Sequence, residues 1–431
     1  MPLDRPPLEL NADFQYALDR MENSRDLLFV TGRAGTGKST LLQLFRQTTR
    51  KRIAVLAPTG VAALNVKGQT IHSFFGFPPR LLDPQRDIKR RRFRQLYQKL
   101  DTIVIDEISM VRADMLDNID YFLRLNRDDH RPFGGVQLVF FGDLFQLPPV
   151  VASDAERYYL QSTYQSQYFF SARVLQGVSM EMIELQRVYR QENRHFLRLL
   201  EAIRLNRLDP DDLEALNERC DPAFEPPEFY ITLSARNASV DAKNRKSLDD
   251  IPLPAKSYLA KVTGNFPNHL YPTDAALQLK LNAQVMFLRN DPDKAYVNGT
   301  IGRIAKMEDE SVTVLVEEDG EKRYVEVKPF EWEITRYKLD EKDPDRITQE
   351  SMGSFEQYPL RLAWAVTIHK AQGKTFDKVI IDLGRGAFEH GQTYVALSRC
   401  RTLEGIVLRQ PIRPQDVLVD ERIVEFYEQK Q

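Results

Sequence analysis

Gly32-Arg33-Ala34-Gly35-Thr36-Gly37-Lys38-Ser39 fits the pattern G-x-x-x-x-G-K-[ST], a loop whose glycines let backbone N–H groups fold around a polyphosphate. It lies after the apolar run Leu27-Leu28-Phe29-Val30 and before the helix-like Thr40-Leu41-Leu42-Gln43-Leu44-Phe45, so a helix N-terminus adds partial positive charge at the same point. In such a loop Gly35, Thr36, Gly37 and Thr40 line the phosphates, Lys38 reaches the β- and γ-phosphates, and the Ser39 hydroxyl ligates Mg²⁺. A second apolar run, Ile103-Val104-Ile105, ends in Asp106-Glu107. At a strand end Asp106 holds Mg²⁺, and Glu107 orients and deprotonates the attacking water. Gly142-Asp143-Leu144-Phe145-Gln146-Leu147-Pro148-Pro149 follows a further run, and Gln146 there can sense a γ-phosphate. Arg190 and Arg399 are the candidate cations that reach across a cleft, a role worth ~10³–10⁵ in turnover. Together these types and spacings imply a nucleoside triphosphate and Mg²⁺.

The elements that position these residues alternate between strand-like and helix-like over the first part of the chain, the pattern of a parallel α/β sheet. Candidate strands are Leu27–Thr31, Ile53–Ala57, Thr102–Ile105 and Gln137–Phe141. Ligands of open α/β sheets sit beyond the carboxyl ends of the strands, so the turns after these four should converge. An interruption from Pro78 to Lys99, with the basic run Arg86–Arg94, reads as a small excursion from the sheet. From about Ser179 a second α/β unit is expected, with strands Phe229–Leu233, Lys378–Leu383 and Ile406–Arg409 and helices Asn237–Leu248 and Gln392–Cys400. Both Arg190 and Arg399 are assigned to it. Between these elements, Tyr296–Ile304, Ser311–Val316 and Arg323–Val327 alternate apolar and polar residues around Asn298-Gly299 and a Glu318-Asp319-Gly320 turn. Such alternation predicts antiparallel hairpins, hence a small inserted β-barrel. The expected domains are 1–178, with an insertion at 76–98, and 179–431, with a barrel at 297–355.

Composition narrows the class. The 431 residues are 42% apolar and 28% charged, which suits a globular protein of roughly two to four domains. No uncharged apolar run of about 18 residues occurs, so no transmembrane helix is expected. Met1–Pro7 lacks the layout of a secretory signal. Cys220 and Cys400 are far apart and read as reduced thiols of a cytoplasmic protein. With a net charge of −2, a nucleic-acid partner has to be held in a local groove.

The motifs together resemble superfamily-1 helicases, most closely the Pif (petite integration frequency) family and its RecD-like relatives. Gln15, in Leu10-Asn11-Ala12-Asp13-Phe14-Gln15, resembles the adenine-reading glutamine, although the usual Glu-Gln pair is Phe-Gln here. Ala57-Pro58-Thr59-Gly60-Val61-Ala62-Ala63 with Thr70–Gly76 is similar to the first DNA-contacting motif. Asp106 to about Arg127 resembles the family's signature helix, and Gly142–Pro149 its sensor motif. Leu233-Ser234-Ala235-Arg236-Asn237, Thr367–Thr375 and Tyr394–Arg401 resemble motifs of the second motor domain. Ala371 stands where the family usually has serine. The resemblance covers nearly the whole chain. It implies two RecA-like domains, an SH3-like barrel inserted in the second, and 5′→3′ movement on single-stranded DNA in replication, repair and recombination. Tailed, forked and G-quadruplex DNA are the implied substrates of a monomeric motor, in bacteria nucleoid-associated, that can oligomerise on DNA.

Tracking a single strand needs phosphate donors and flat faces for bases. The resemblance puts Thr59, Ser234 and Thr367 on phosphates, with Gly60, Pro148, Arg236 and Gly373 in the same motifs, Gly373 toward the nucleotide. His72, Phe74 and Phe75 can offer stacking faces, although the phenyls equally suit a core. His369 suits DNA better than a metal, since no partner stands at ligand spacing. The Arg86–Arg94 run reads as a solvated face or a duplex contact. Two other readings stay open: a DNA-stimulated translocase that separates no strands, and a module that ATP merely switches.

Overall fold

The computed structural model describes residues 11–430 except 192, 294 and 319. The Met1–Pro7 leader, Leu10 of the Gln15 motif and Asp319 of the predicted turn lie outside the described residues.

The first sheet holds six parallel strands: β1 (Leu27–Gly32), β2 (Ile53–Ala57), β3 (Gln69–Thr70), β4 (Thr102–Ile105), β5 (Gln137–Phe141) and β6 (Met180–Leu185). Their order is β3-β2-β4-β5-β1-β6. Apolar runs form these strands because both faces are covered. Leu27 and Phe29 of β1 enter one core while Leu28 and Val30 enter another, and Ile103, Ile105 and Val104 of β4 divide the same way. One face packs on helices Ala12–Asn23 and Lys38–Thr48, through Phe14, Ala17, Leu41 and Phe45. The other receives helix Ala113–Arg127, within the span expected for the signature helix.

The expected boundary at 178 is wrong in two ways. Residues 180–185 form β6, paired in parallel with β1 along its whole length. The C-terminal helix Glu421–Glu428 also returns to the first sheet. Phe426 stacks on Phe170 at 4.5 Å, and Tyr427 Oη shares a 2.6 Å hydrogen bond with Thr31 Oγ1. Its rings also meet Phe29 and Phe145, so it closes the core beside β1.

The second lobe is a parallel sheet in the order Ala365–Thr367, Ile231–Ser234, Val379–Asp382, Ile406–Leu408. The antiparallel region inserted in it runs from Lys256 to Leu362, wider than the expected 297–355. Five strands pair in the order Glu321–Val327, Val312–Glu318, Ile301–Met307, Gln284–Phe287, Leu360–Leu362. That pairing does not by itself make the sheet an SH3-like barrel. Phe330–Leu339 and Ile347–Gln357 instead form a long hairpin that reaches back to the first lobe. Arg46 Nη2 donates to Gln349 Oε1 (2.6 Å) and Lys99 Nζ pairs with Asp345 Oδ1 (2.6 Å).

The hairpin's central contact is Tyr337. β3 is only two residues long and begins opposite Leu56. The Val55 N–H points past its start and donates to Tyr337 Oη (2.9 Å). A buried backbone N–H must find such a partner. Tyr337→Phe orphans it and should cost about 1–3 kcal/mol, read as a lower denaturant midpoint with the fold retained. An unchanged midpoint would show that the contact carries no stability.

Candidate nucleotide cleft and nucleic-acid face

The phosphate loop leaves β1 and ends where Lys38 starts a helix. Gly37 before it has φ +86°, a left-handed conformation that glycine adopts without strain. A Cβ there would lie 2.9 Å from the Phe14 ring, and one on Gly35 would lie 2.6 Å from Arg190 Cβ. The loop is thus pressed between the first helix and the segment after β6. Lys38 Nζ donates to Gly32 O (2.6 Å) and Arg33 O (3.0 Å). Burial draws its pKa down, and Asp143 and Glu107 oppose that shift. Thr36 is buried with its hydroxyl on Arg33 O (2.9 Å), Ser39 and Thr40 are exposed on the first helical turn, and Gln15 is exposed beside Phe14.

Asp106 and Glu107 end β4 side by side. Burial pushes the Asp106 carboxyl up to about 7, and the Glu107 charge adds to the effect. Glu107 is also raised by burial, with Lys38 and Arg399 opposing. Its φ of +52° is costly for a residue with a side chain, by roughly 1–3 kcal/mol, and such strain gathers at functional sites. No group of three or more metal-ligating side chains exists among the described residues. Ser39 Oγ and the Asp106 carboxylate are nonetheless hard oxygen donors at a phosphate site, the set that suits Mg²⁺ when phosphates complete the shell.

Gln146, the candidate sensor, is held by both lobes. Gln146 Nε2 donates to Asp143 Oδ2 (3.2 Å), and its Oε1 accepts from Gln372 Nε2 (3.2 Å). Gln372 Nε2 also reaches Glu107 Oε2 at 3.4 Å. Gly391 lies so close that a Cβ would stand 2.4 Å from the carbonyls of Phe145 and Gln146. Helix Gln392–Leu397 starts there and places Tyr394, whose hydroxyl accepts from Ala34 N (3.0 Å) and donates to Asp143 Oδ2 (3.3 Å). Gln372, Tyr394 and Asp143 lay within quoted motifs, yet no spacing rule singles them out.

Arg190 does not come from the second sheet as expected. It follows β6 of the first and donates to Ser398 O (3.1 Å) across the cleft. Arg399 does come from the second lobe and is 1% exposed, its guanidinium on Val395 O (3.0 Å) and Ser398 Oγ (2.8 Å). Burial draws Arg190 down to about 9, helped by Arg399, and Arg399 is lowered by burial in turn. Gly373, exposed at φ +77°, follows Gln372.

On the nucleic-acid side three hydroxyls close strand-end turns. Thr59 Oγ1 accepts from Ala62 N (3.2 Å), Thr367 Oγ1 from Lys370 N (3.3 Å) and Ser234 Oγ from Arg236 N (3.5 Å). Each keeps its O–H for another acceptor. Ser234 and Thr367 are directly opposed on paired strands and both are buried, whereas Arg236 is exposed. His369 Nε2 faces Glu389 Oε2 at 3.1 Å. His72 is half-buried, its pKa lowered by burial and by Arg112. Gly60 lies under Leu270, whose Cδ2 would stand 2.1 Å from an added Cβ.

Three expected contacts fail. Phe74 and Phe75 are core residues, edge to face with each other at 4.9 Å, with Tyr337 against Phe74 and Phe122 against Phe75. Their five-residue helix turns both rings inward, so neither offers a face to a base. Pro148 is buried as well. In the basic run Arg90 and Arg94 share the one carboxylate of Asp128, and Arg91 donates to Phe75 O and Gly76 O.

Two parallel sheets that share one phosphate cleft are the architecture of a two-lobed P-loop nucleoside triphosphatase. Comparison with known proteins narrows that class. The profile of the PIF1-like helicases matches residues 10–212. The ATP-dependent DNA helicase PIF1 of Emericella nidulans is 33% identical over 96% of this chain, which spans 62% of that protein's length. The ATP-dependent DNA helicase Pif1 of Bdellovibrio bacteriovorus is 31% identical over 98% of this chain and 92% of its own. The Pif1 of a Bacteroides species in complex with ADP-AlF4 matches with TM-score 0.91 at 38% identity, over 98% of this chain and 97% of that one. Bacteroides Pif1 bound to single-stranded DNA matches over the same shares with TM-score 0.69, also at 38% identity. The chain belongs to the PIF1-like helicase family.

Glu107→Gln should leave ATP affinity within about threefold while turnover falls by about 10²–10⁴, measured by nucleotide titration and steady-state hydrolysis. Unchanged hydrolysis would remove Glu107 as the base. Lys38→Ala should weaken both binding and turnover, because a phosphate contact is lost in both states. Near-normal values would exclude that contact.

Proposed function

We propose that the protein is an ATP-dependent DNA helicase that moves 5′→3′ on single-stranded DNA and opens tailed, forked and G-quadruplex structures in genome maintenance. The observation that carries this reading is the charge of the interlobe cleft. Lys38, Arg190 and Arg399 are all destabilised as cations by burial, and Asp106 and Glu107 as anions. A triphosphate with its divalent cation relieves both imbalances at once.

Lys38 and the loop N–H groups bind the phosphates, with Arg190 and Arg399 closing on the γ-phosphate from opposite sides. Ser39 and Asp106 hold Mg²⁺, which when bound neutralises charge developing on the phosphoryl oxygens. Glu107 takes the proton of the attacking water and Gln146 reports the γ-phosphate. Gln15 reads the adenine, and Gly373 approaches the nucleotide. Since Gln372 touches Glu107 and Gln146 from the second lobe, cleavage changes how the lobes fit. A difference in nucleotide affinity between closed and open lobes then drives stepping.

Thr59, Ser234 and Thr367 donate to successive phosphates, and Gly60, His72, Arg236 and His369 border the same path. The inserted antiparallel region contacts DNA or gates that path. Polarity, G-quadruplex preference, the SH3-like likeness of the insertion, a monomeric motor and a nucleoid location are drawn from the family resemblance. No helix among the described residues is long and apolar enough to cross a membrane.

With ATP, a 5′-tailed duplex should be unwound and a matched 3′-tailed duplex left intact. DNA-stimulated hydrolysis without strand release would favour the translocase reading, and hydrolysis indifferent to DNA would overturn the motor. Affinity for single-stranded DNA should fall steeply with salt, with a log–log slope of roughly −0.7 per phosphate contacted. A flat salt dependence would exclude a groove of backbone contacts.

A further inference from the structure

Arg204 ends helix Arg194–Arg204 and lies outside every motif read from the sequence. It is 3% exposed. Its guanidinium carbon stands 4.2 Å from the centre of the Phe145 ring and 5.7 Å from that of Tyr427. Nη1 donates to Glu201 Oε1 (3.3 Å), while Nη2 faces Asp143 Oδ1 at 3.6 Å and Glu184 Oε1 at 3.9 Å. A cation this deeply placed survives only beside carboxylates that offset its lost hydration.

The carboxylate of Asp143 is the hub of the sensor loop. Oδ1 accepts from Phe145 N (3.2 Å), and Oδ2 accepts from Gln146 Nε2 and from the Tyr394 hydroxyl. A carboxylate offers acceptors only, so it must be faced by the NH₂ end of the Gln146 amide. The carbonyl end, Oε1, is thereby turned toward Gln372 Nε2, which also reaches Glu107. This orientation follows from the chemistry of the partner. Without an opposing cation, the buried carboxylate is relieved by drawing in a water. That water gives Gln146 a neighbour that donates, and the amide is then free to turn over. An overturned amide would present N–H groups, not an acceptor, to the water that Glu107 must deprotonate.

We propose that Arg204 is a positioning residue for ATP hydrolysis, which acts through Asp143 to set which end of the Gln146 amide faces the attacking water. The proposal rests on the reading of Gln146 as sensor and Glu107 as base.

Steady-state hydrolysis by the full chain with saturating single-stranded DNA tests it. Arg204→Met keeps an unbranched apolar stem over Phe145 and should lower kcat about tenfold or more, with KM for ATP within about twofold. Arg204→Lys keeps the charge and should recover a substantial part of that loss. In a Gln146→Ala background Arg204→Met should cost nothing further, because the residue it acts through is gone. If Arg204→Met does not fold, as judged by thermal unfolding, Asp143→Asn/Arg204→Met removes both buried charges and should show the kcat of Gln146→Ala. Multiplicative losses of Arg204→Met and Gln146→Ala, or Arg204→Lys as slow as Arg204→Met, would overturn the proposal. So would a raised KM at unchanged kcat, or a folded double variant at the wild-type rate. A wild-type chain without DNA-stimulated hydrolysis, or Gln146→Ala at the wild-type rate, would sink the underlying reading instead.

Discussion

Lys38, Arg190 and Arg399 arrive from three separate segments and are driven into one cleft where burial works against the charge of each. Like charges crowded in a poorly solvated space repel more strongly than at a surface. They stay because the lobes are joined around them by close packing and hydrogen bonds. Gly391 presses on the sensor carbonyls, and Tyr394 bridges Ala34 and Asp143. The C-terminal helix closes over Phe29 and Phe170. Packing and hydrogen bonds between the lobes thus hold these cations in place with the cost of their burial unrelieved, the condition that preorganisation requires.

Much of this was legible in the chain before any coordinates. The four strands that carry motifs are uninterrupted apolar runs because each is covered on both faces, and their observed bounds agree with expectation to within a residue. The strands that went unread have physical reasons. Met180-Glu181-Met182-Ile183-Glu184-Leu185 lies at the sheet's edge, where its half-exposed glutamates break the run. β3 is two residues long and has no pattern to detect. The error at 178 followed from the first omission, and with it the assignment of Arg190 to the wrong sheet.

Side chains with a chemical type suited to the site can be picked from the sequence, and those placed only by contact cannot. Lys38, Asp106 and Glu107 announce themselves through strand-loop context, whereas Gln372 earns its place only by standing between Glu107 and Gln146. Phe74 and Phe75 show the opposite failure. An aromatic pair beside a DNA-contacting motif suits base stacking, yet the same pair suits a core, and only their packing on Tyr97 and Phe122 decides. Arg204 carries no signal at all, since Asp143 lies 3.6 Å away in space but on a different element.

The hairpin that delivers Tyr337 has one more effect. While docked, its hydroxyl quenches a backbone group on the flank of β2 that a two-residue neighbour leaves uncovered. Any lifting of the hairpin would bare that flank, and an uncovered strand is a template for a strand from another molecule. Freedom of the inserted region is therefore coupled to adhesiveness. A chain held open for long would tend to self-associate through the outer margin of its first sheet.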